Sequence, residues 1–359
     1  MIKRRKTRVV RVGKVKIGGD NPVSVQSMTK TRTRDVEIVR DEIRRLSVSG
    51  CEIVRVAVKS PEDARAIREI KNEISLPVVA DIHFDHMLAL LAIDNGADKI
   101  RVNPGNITRS DHLNAIIDRS KEKGIAVRIG LNSGSLPAPR TDRKSPDEIM
   151  VDEALRYIDI FEKKGFDDLV VSLKSSDIIT TIKAYRDIAP KTDVPLHLGI
   201  TAAGTPSDGI VRSSVGIGSL LASGIGDTIR VSLTGDPVLE VETGKRILQS
   251  LGLREYGHKI ISCPTCGRCQ VDMVVITGEI EARLKGEISI PGSKKLNIAV
   301  MGCEVNGPGE AKDADIGIAF GSNKGAIFSR GNIVKTVNVD EAVEEFLRLI
   351  REMAVKGKQ

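Results

Sequence analysis

The sequence predicts an α/β protein: an N-terminal (β/α)8 TIM barrel followed by a smaller α+β domain. Three observations predict it. Short β-branched runs recur through the first two-thirds of the chain, each followed by an amphipathic helical stretch. Val, Ile and Leu carry the apolar content, with aromatics at 3% and Trp absent, as expected of strands buried on both faces of a parallel sheet. No G-x-G-x-x-G follows the first run, so a closed barrel fits better than an open doubly wound sheet.

The barrel strands are expected at Ser24–Thr29, Ile53–Val58, Pro77–Ile82, Lys99–Pro104, Ala126–Leu131, Asp168–Leu173, Pro195–Ile200 and Thr228–Leu233. Helical patterns such as Val36–Ser49 and Ala154–Lys164 lie between them. Gly50, Gly96, Gly124, Gly165 and Gly224 stand where such helices end, the position that a left-handed residue fills. Ahead of the first strand, Val9–Gly18 alternates apolar and basic residues around Gly13 and reads as a hairpin plugging the barrel bottom. Gly134–Pro146, rich in Pro, Ser and Arg, reads as a long loop at the top, and loops of that length in a compact domain are usually functional or mobile.

After Leu233 the pattern changes. A helix is expected over Pro237–Leu251, then a turn-rich connection over Gly252–Lys259. A boundary near 255 divides residues 1–255 from 256–359. The second part predicts a helix at Val271–Leu284 and strands at Leu296–Met301, Ile316–Phe320, Gly325–Ser329 and Ile333–Val337. It closes on a helix at Val339–Val355.

Length and charge bound the rest. A chain of 359 residues with 40% hydrophobic content suits one large domain and one small one. The net charge of +7 fits an anionic small molecule or nucleic acid. The basic N-terminus lacks an apolar core region, so no secretory signal is expected. No apolar run is long enough to span a membrane, and a cytoplasmic location follows. Cysteines at 263, 266, 269 and 303, with Cys51 apart, are too clustered for a disulfide framework and point to metal or redox chemistry.

Charged residues interrupt the apolar strands. Arg55, Asp81 with His83, Arg101 with Asn103, Arg128 with Asn132, Lys174, and Arg230 with Ser232 sit in or just past their strands, mostly toward the end where barrel active sites form. Buried unpaired charge is costly, so these residues must converge on solvent, on each other or on a ligand. Some arginines could pair with Asp81, Asp98 or Asp227, but hardly all the cations at once. Arginine forks suit phosphate oxygens, and a cluster of them suits a diphosphate. His83 beside Asp81 is suited to handling a proton or orienting a substrate.

The segment ISCPTCGRCQVD supplies Cys263, Cys266 and Cys269, and MGCEVNGPGE supplies Cys303, Asn306 and Glu310. Spacing alone leaves two readings nearly equal. A zinc site would close on four ligands such as Cys263, Cys266, Cys269 and Cys303. An iron–sulfur site needs three thiolates and leaves one iron differently ligated. The Asn306–Gly309 turn returns the chain so that Glu310 can face the site. A carboxylate is a hard, exchangeable ligand among soft thiolates, which favours a reaction centre.

At this point the motifs resemble a known family. CPTCGR, GCEVNGPGEA and GIGDTIRVSL, with SVQSMTKT, DIHFD, KIRVNPGN, RIGLNSGS and HLGIT, are similar to those of the 4-hydroxy-3-methylbut-2-enyl diphosphate synthases, in order from about residue 9 to 340. The resemblance implies a TIM barrel and a C-terminal domain of the sulfite-reductase-repeat type. It also implies one [4Fe–4S] cluster per chain and reductive opening of 2-C-methyl-D-erythritol 2,4-cyclodiphosphate in the methylerythritol phosphate route to isoprenoids. Ferredoxin or flavodoxin would supply the electrons. A homodimer would pair the barrel of one protomer with the cluster domain of its partner.

Carried over by motif, the cluster ligands are Cys263, Cys266, Cys303 and Glu310, with Cys269 left out. Arg55, Arg101, Arg128 and Lys174 would hold the diphosphate. Asp81, His83, Asn103, Asn132, Thr201, Arg230 and Ser232 would line the same cup, with Asn306 by the open iron. The chain departs from the family at Ala202, where HLGITAAG has alanine in place of a glutamate.

Two other classes compete with this reading. A zinc-ribbon nucleic-acid binder with a basic arm would want aromatics for base stacking, and here three Tyr and six Phe are scattered. A radical enzyme using S-adenosylmethionine would carry its cysteines beside the first strand rather than after the barrel. No nucleic-acid or membrane partner is expected.

Overall fold

The computed structural model describes residues 2–103, 105–107, 109–136, 144–287, 295–303, 311 and 313–356, with the backbone alone at 285–287 and 356. The chain divides into two compact units, Met1–Arg254 and Glu255–Gln359.

The first unit opens on a hairpin of β1 (Val10–Val12) and β2 (Val15–Ile17). Val10, Val12 and Ile17 are buried against Ile53, Val79, Ala126 and Val170, at or near the starts of four barrel strands. The hairpin therefore seals the barrel bottom, as the alternation predicts. Its turn residue Gly13 has φ 54°, and a side chain there would press on Pro77 and Asp98.

The barrel strands are β3 (Ser24–Met28), β4 (Ile53–Val58), β5 (Val78–Ile82), β6 (Lys99–Val102), β7 (Ala126–Asn132), β8 (Leu169–Lys174), β9 (His197–Leu198) and β10 (Thr228–Ile229). All pair in parallel, in the order β8-β7-β6-β5-β4-β3-β10-β9. A parallel bridge between Val171 and Leu196 closes the ring. β9 and β10 are shorter than predicted. A side chain at Gly199 would lie 2.5 Å from Lys174 Nζ and 2.7 Å from the Arg230 carbonyl, so there the ladder yields to a buried side chain.

Helices α1 (Val36–Ser49), α2 (Pro61–Glu73), α3 (His86–Asp94), α4 (Ser110–Lys123), α5 (Pro146–Lys163), α6 (Ile178–Ile188), α7 (Pro206–Ala222) and α8 (Pro237–Ser250) follow the strands in turn. α1 ends on Gly50 at φ 95°, a left-handed cap that glycine adopts at little cost. α5 starts eight residues before the predicted Ala154. Ser145 and Glu148 form a capping box around Pro146 at the first turn, a start signal visible in Ser-Pro-Asp-Glu. The predicted long loop begins in a 3-10 turn at Ser133–Ser135, and its residues 137–143 lie outside the described residues.

The second unit has one sheet, ordered β11 (Lys259–Ser262), β12 (Asn297–Met301), β13 (Ile316–Phe320), β14 (Lys324–Ser329) and β15 (Asn332–Asn338). The first three run parallel and the last two pairings are antiparallel. α9 (Met273–Glu287) and α10 (Val339–Lys356) cover one face, with Ile280, Leu284, Phe346 and Ile350 packed on Ile298, Val300 and Ile318. β11 was not anticipated, because Lys-Ile-Ile-Ser is short and mostly exposed. Its position matters, since it delivers Cys263. No helix among the described residues is long and apolar enough to cross a membrane.

Candidate functional site

Side chains alternate across a strand, and this alternation builds the site. On β4, β5, β6, β7 and β8, and just past β10, one face supplies Val and Ile to the helices while the other points Arg55, Asp81, Arg101, Arg128, Lys174 and Arg230 into the barrel. All six are buried. Ladder register sets Asp81, Arg101 and Arg128 side by side on three neighbouring strands.

Asp81 is the shared counter-ion of one half of the cup. Arg101 Nη1 lies 3.2 Å from Asp81 Oδ1, His83 Nε2 3.3 Å from Asp81 Oδ2, and Arg55 Nε 4.0 Å from that same Oδ2. Burial alone would raise the Asp81 carboxyl. Arg55, the His83 hydrogen bond and Arg101 outweigh it and hold the group far below the usual carboxylate range. Arg101 Nη1 is also 3.2 Å from His83 Nε2, so that one ring nitrogen faces both an acid and a donor. The His83 side chain is 47% exposed, which leaves it open to a substrate.

Glu240 on α8 serves the other half. It is buried and accepts from Ser27 Oγ, Lys30 Nζ, Arg230 and the Leu233 backbone. The sequence reading did not single it out. The signal was an acid in the first turn of a helix directly after a strand that carries Arg230.

Lys174 and Arg128 have no carboxylate within ion-pair distance among the described residues. Lys174 is pushed well below its usual range by burial first, then by Arg128, Arg55, Arg230 and Arg101. All five predicted cations therefore converge. Arg128 is depressed by burial, Arg55 and Arg101. The alternative partners do not relieve them, because Asp98 binds Lys71 and Asp227 binds Arg4 and Arg5.

The polar strand-end residues divide. Asn103 is buried and spent on structure: its amide donates to Ser135 Oγ at 2.9 Å and its oxygen accepts from Gly105 N at 3.2 Å. The Asn132 carbonyl accepts from Ser135 Oγ. Asn132, Thr201 and Ser232 are half-buried, Asn132 at the end of β7 and the other two three residues past β9 and β10. Ala202, exposed, holds a left-handed φ of 49°.

In the second unit, β11 and β12 run parallel, and both cysteine segments leave from their C-terminal ends. Gly302 N donates to Cys263 Sγ at 3.2 Å, and Gln270 N donates to the Gly302 carbonyl. Cys303 is buried, Cys263 and Cys269 are half-buried, Cys266 is exposed, and all are free. Thr265, between Cys263 and Cys266, sits at φ 61°. A β-branched residue in that region is strained, and such strain clusters at functional turns. Cys269 packs on Gly302, where an added Cβ would lie 2.5 Å from its sulfur. Among the described residues, no three His, Cys, Asp or Glu side chains are gathered as a metal site. Asn306 and Glu310 lie outside the described residues.

Fold and site together define a class: a parallel barrel with a cation-rich buried interior, continued in one chain by a thiol-bearing α+β unit. A family model for the GcpE TIM-barrel domain matches residues 7–245 and one for the GcpE protein C-terminal domain matches residues 259–352, so the chain belongs to the GcpE family. It is 51% identical to a relative from Caldanaerobacter subterraneus subsp. tengcongensis over 98% of this chain and 99% of that one. It is 49% identical to one from Aquifex aeolicus over 99% of each. Both relatives are named 4-hydroxy-3-methylbut-2-en-1-yl diphosphate synthase (flavodoxin). Among solved structures, the dihydropteroate synthase of Xanthomonas albilineans aligns at TM-score 0.50 and 18% identity, covering 68% of this chain and 98% of that one. That likeness shows the barrel fold alone.

Proposed function

We propose that the chain is a 4-hydroxy-3-methylbut-2-enyl diphosphate synthase. It opens the ring of 2-C-methyl-D-erythritol 2,4-cyclodiphosphate and removes one oxygen as water, with electrons from reduced flavodoxin or ferredoxin. The observation that carries the reading is the convergence of Arg55, Arg101, Arg128, Arg230 and Lys174 with too few carboxylates to neutralise them. Full-length similarity to relatives of that name supports it.

In this reading Arg55, Arg101, Arg128 and Lys174 hold the diphosphate through charge-assisted hydrogen bonds. Asp81 fixes the Arg101 fork so that its remaining donors face the ligand, and Glu240 does the same for Arg230. His83, half-exposed just past β5 and within 3.3 Å of Asp81, orients the bound chain or relays its proton. Thr201, Ser232 and Asn132 line the rim. Retaining the diphosphate keeps the reacting carbon positioned while water is excluded from the buried wall.

The thiols Cys263, Cys266 and Cys303, with Glu310, would hold a [4Fe–4S] cluster. The donor set fits: soft thiolates with a backbone N–H on one sulfur are what such clusters use to set their potential. Bound there, the cluster would deliver electrons singly. Asn306 would stand beside the iron that Glu310 holds. The resemblance further supports a homodimer in which the barrel of one protomer works with the cluster unit of its partner.

Anaerobic purification tests the cofactor reading. A brown protein with about four irons per chain is expected; one zinc and no colour would sink it.

A further inference from the structure

We propose that the barrel carries a second anion site, one residue layer below the substrate cup, in which Lys99, Gln26, Arg128 and His197 hold a small inorganic anion of chloride size. Strand alternation places these side chains. Lys99 lies two residues before Arg101 on β6, and so shares its inward face. Gln26 lies two before Met28 on β3, whose sulfur is 3.0 Å from Arg55 Nε. His197 shares a ladder row with Thr228 and Ser24.

The layer is sealed. Lys99 and His197 are 0% exposed, and Gln26 and Arg128 are 1% exposed. It is also unsatisfied by the described protein groups. Lys99 Nζ, Arg128 Nε and Nη1, both polar side-chain atoms of Gln26 and both ring nitrogens of His197 have no hydrogen-bond partner there. Two cations one layer up differ: Arg101 reaches Asp81 and the Gly130 carbonyl, and Arg230 reaches Glu240.

Native proteins rarely leave so many buried polar atoms unpaired, and an uncompensated buried ammonium is costlier still. Lys99 meets repulsion rather than relief: burial first, then Arg128 and Arg55, push it well below its usual range. His197 is likewise depressed by burial, Arg128, Lys174, Lys99 and Arg55. The carboxylates nearest in the barrel, Asp81 and Glu240, are already engaged. Water would satisfy hydrogen bonds but not the charge, whereas an anion accepts from ammonium, guanidinium and amide together. Lys99 has only apolar ladder neighbours, Val79 on β5 and Ala126 on β7, so the adjoining strands add no donors for the several oxygens of an oxyanion, and a monatomic ion matches the donors present. Arg128 is the shared member, with the cup above it and this layer below.

The test uses crystals of the full chain grown without chloride and soaked in bromide. An anomalous peak within hydrogen-bonding reach of Lys99 Nζ and Arg128 is expected, absent in Lys99→Met. Water at that position with no anomalous signal overturns the proposal, because Lys99 is then a hydrated neutral amine. A solution readout is the thermal midpoint in sodium chloride against sodium gluconate at equal ionic strength. Saturable stabilisation by chloride is expected in the parent protein and not in Lys99→Met. An equal response of both proteins also overturns it. If Lys99→Met fails to fold, the bromide map of the parent protein decides alone. None of these readouts depends on the proposed reaction.

Discussion

Arg101 and Asp81 form a buried ion pair across neighbouring barrel strands, Nη1 to Oδ1 at 3.2 Å. Asp81 also answers Arg55 and His83, so removing its charge leaves several groups uncompensated at once. Asp81→Asn is expected to destabilise the fold by roughly 3–5 kcal/mol, the usual result of breaking a buried pair from one side. Urea melts at neutral pH measure this directly.

The same residue makes a pH prediction. The native Asp81 carboxyl is held far below its unfolded value. Its contribution to stability is therefore complete above the unfolded carboxyl range near ~4 and is lost only as pH falls toward the lower native value. The stability difference between the parent protein and Asp81→Asn should stay flat from about pH 6 to 8 and shrink only in acid, below the unfolded range. A difference that collapses near neutrality would place the depressed group elsewhere.

Arg128 predicts opposite effects on binding and stability. It is buried, has no carboxylate within ion-pair distance among the described residues, and is repelled by Arg55 and Arg101. Arg128→Met should weaken binding of the cyclodiphosphate by about 10- to 100-fold, the value of one strong charged hydrogen bond. In chloride-free buffer the same change should leave the melting temperature unchanged or higher, because a buried cation repelled by its neighbours is gone. Calorimetric binding and a thermal melt on one sample check both directions.

The proposed cluster ligation separates the cysteines by role. Cys269 packs on Gly302, and its thiol donates to the Val271 carbonyl from a half-buried place against the core. Cys269→Ser should keep the bound iron, while Cys303→Ser should lose it. Iron content per chain after anaerobic purification decides, and loss of iron from Cys269→Ser would mean the ligand assignment is wrong.

Ala202 follows β9 at φ 49°, at a position where the family resemblance implies a glutamate. Ala202→Glu carries no extra backbone cost over alanine and restores an acid beside Thr201. Turnover with reduced methyl viologen should rise; no change would show the position to be dispensable here.

Much of this was legible in the sequence because it rests on alternation. β-Branched runs each followed by a helical stretch mark the strands, the isolated charges within them mark inward positions, and apolar–basic alternation around Gly13 marks the hairpin. Lys99 and His197 were missed for a related reason. They occupy the inner face of runs already assigned, but lie two residues deeper than the strand ends where active-site residues are sought. Glu240 was missed because it reaches the barrel from a helix, and strand periodicity carries no information about that. β11 escaped because a short exposed strand next to a turn-rich stretch has no apolar alternation to read.

The central claim is the reaction itself. The anaerobically purified chain, given 2-C-methyl-D-erythritol 2,4-cyclodiphosphate and a one-electron reductant, should form 4-hydroxy-3-methylbut-2-enyl diphosphate, followed by phosphorus NMR or mass spectrometry. The account predicts that product, with both phosphates retained and its yield rising in Ala202→Glu. Substrate recovered intact from a brown, iron-loaded protein, in the parent chain and in Ala202→Glu alike, would contradict it.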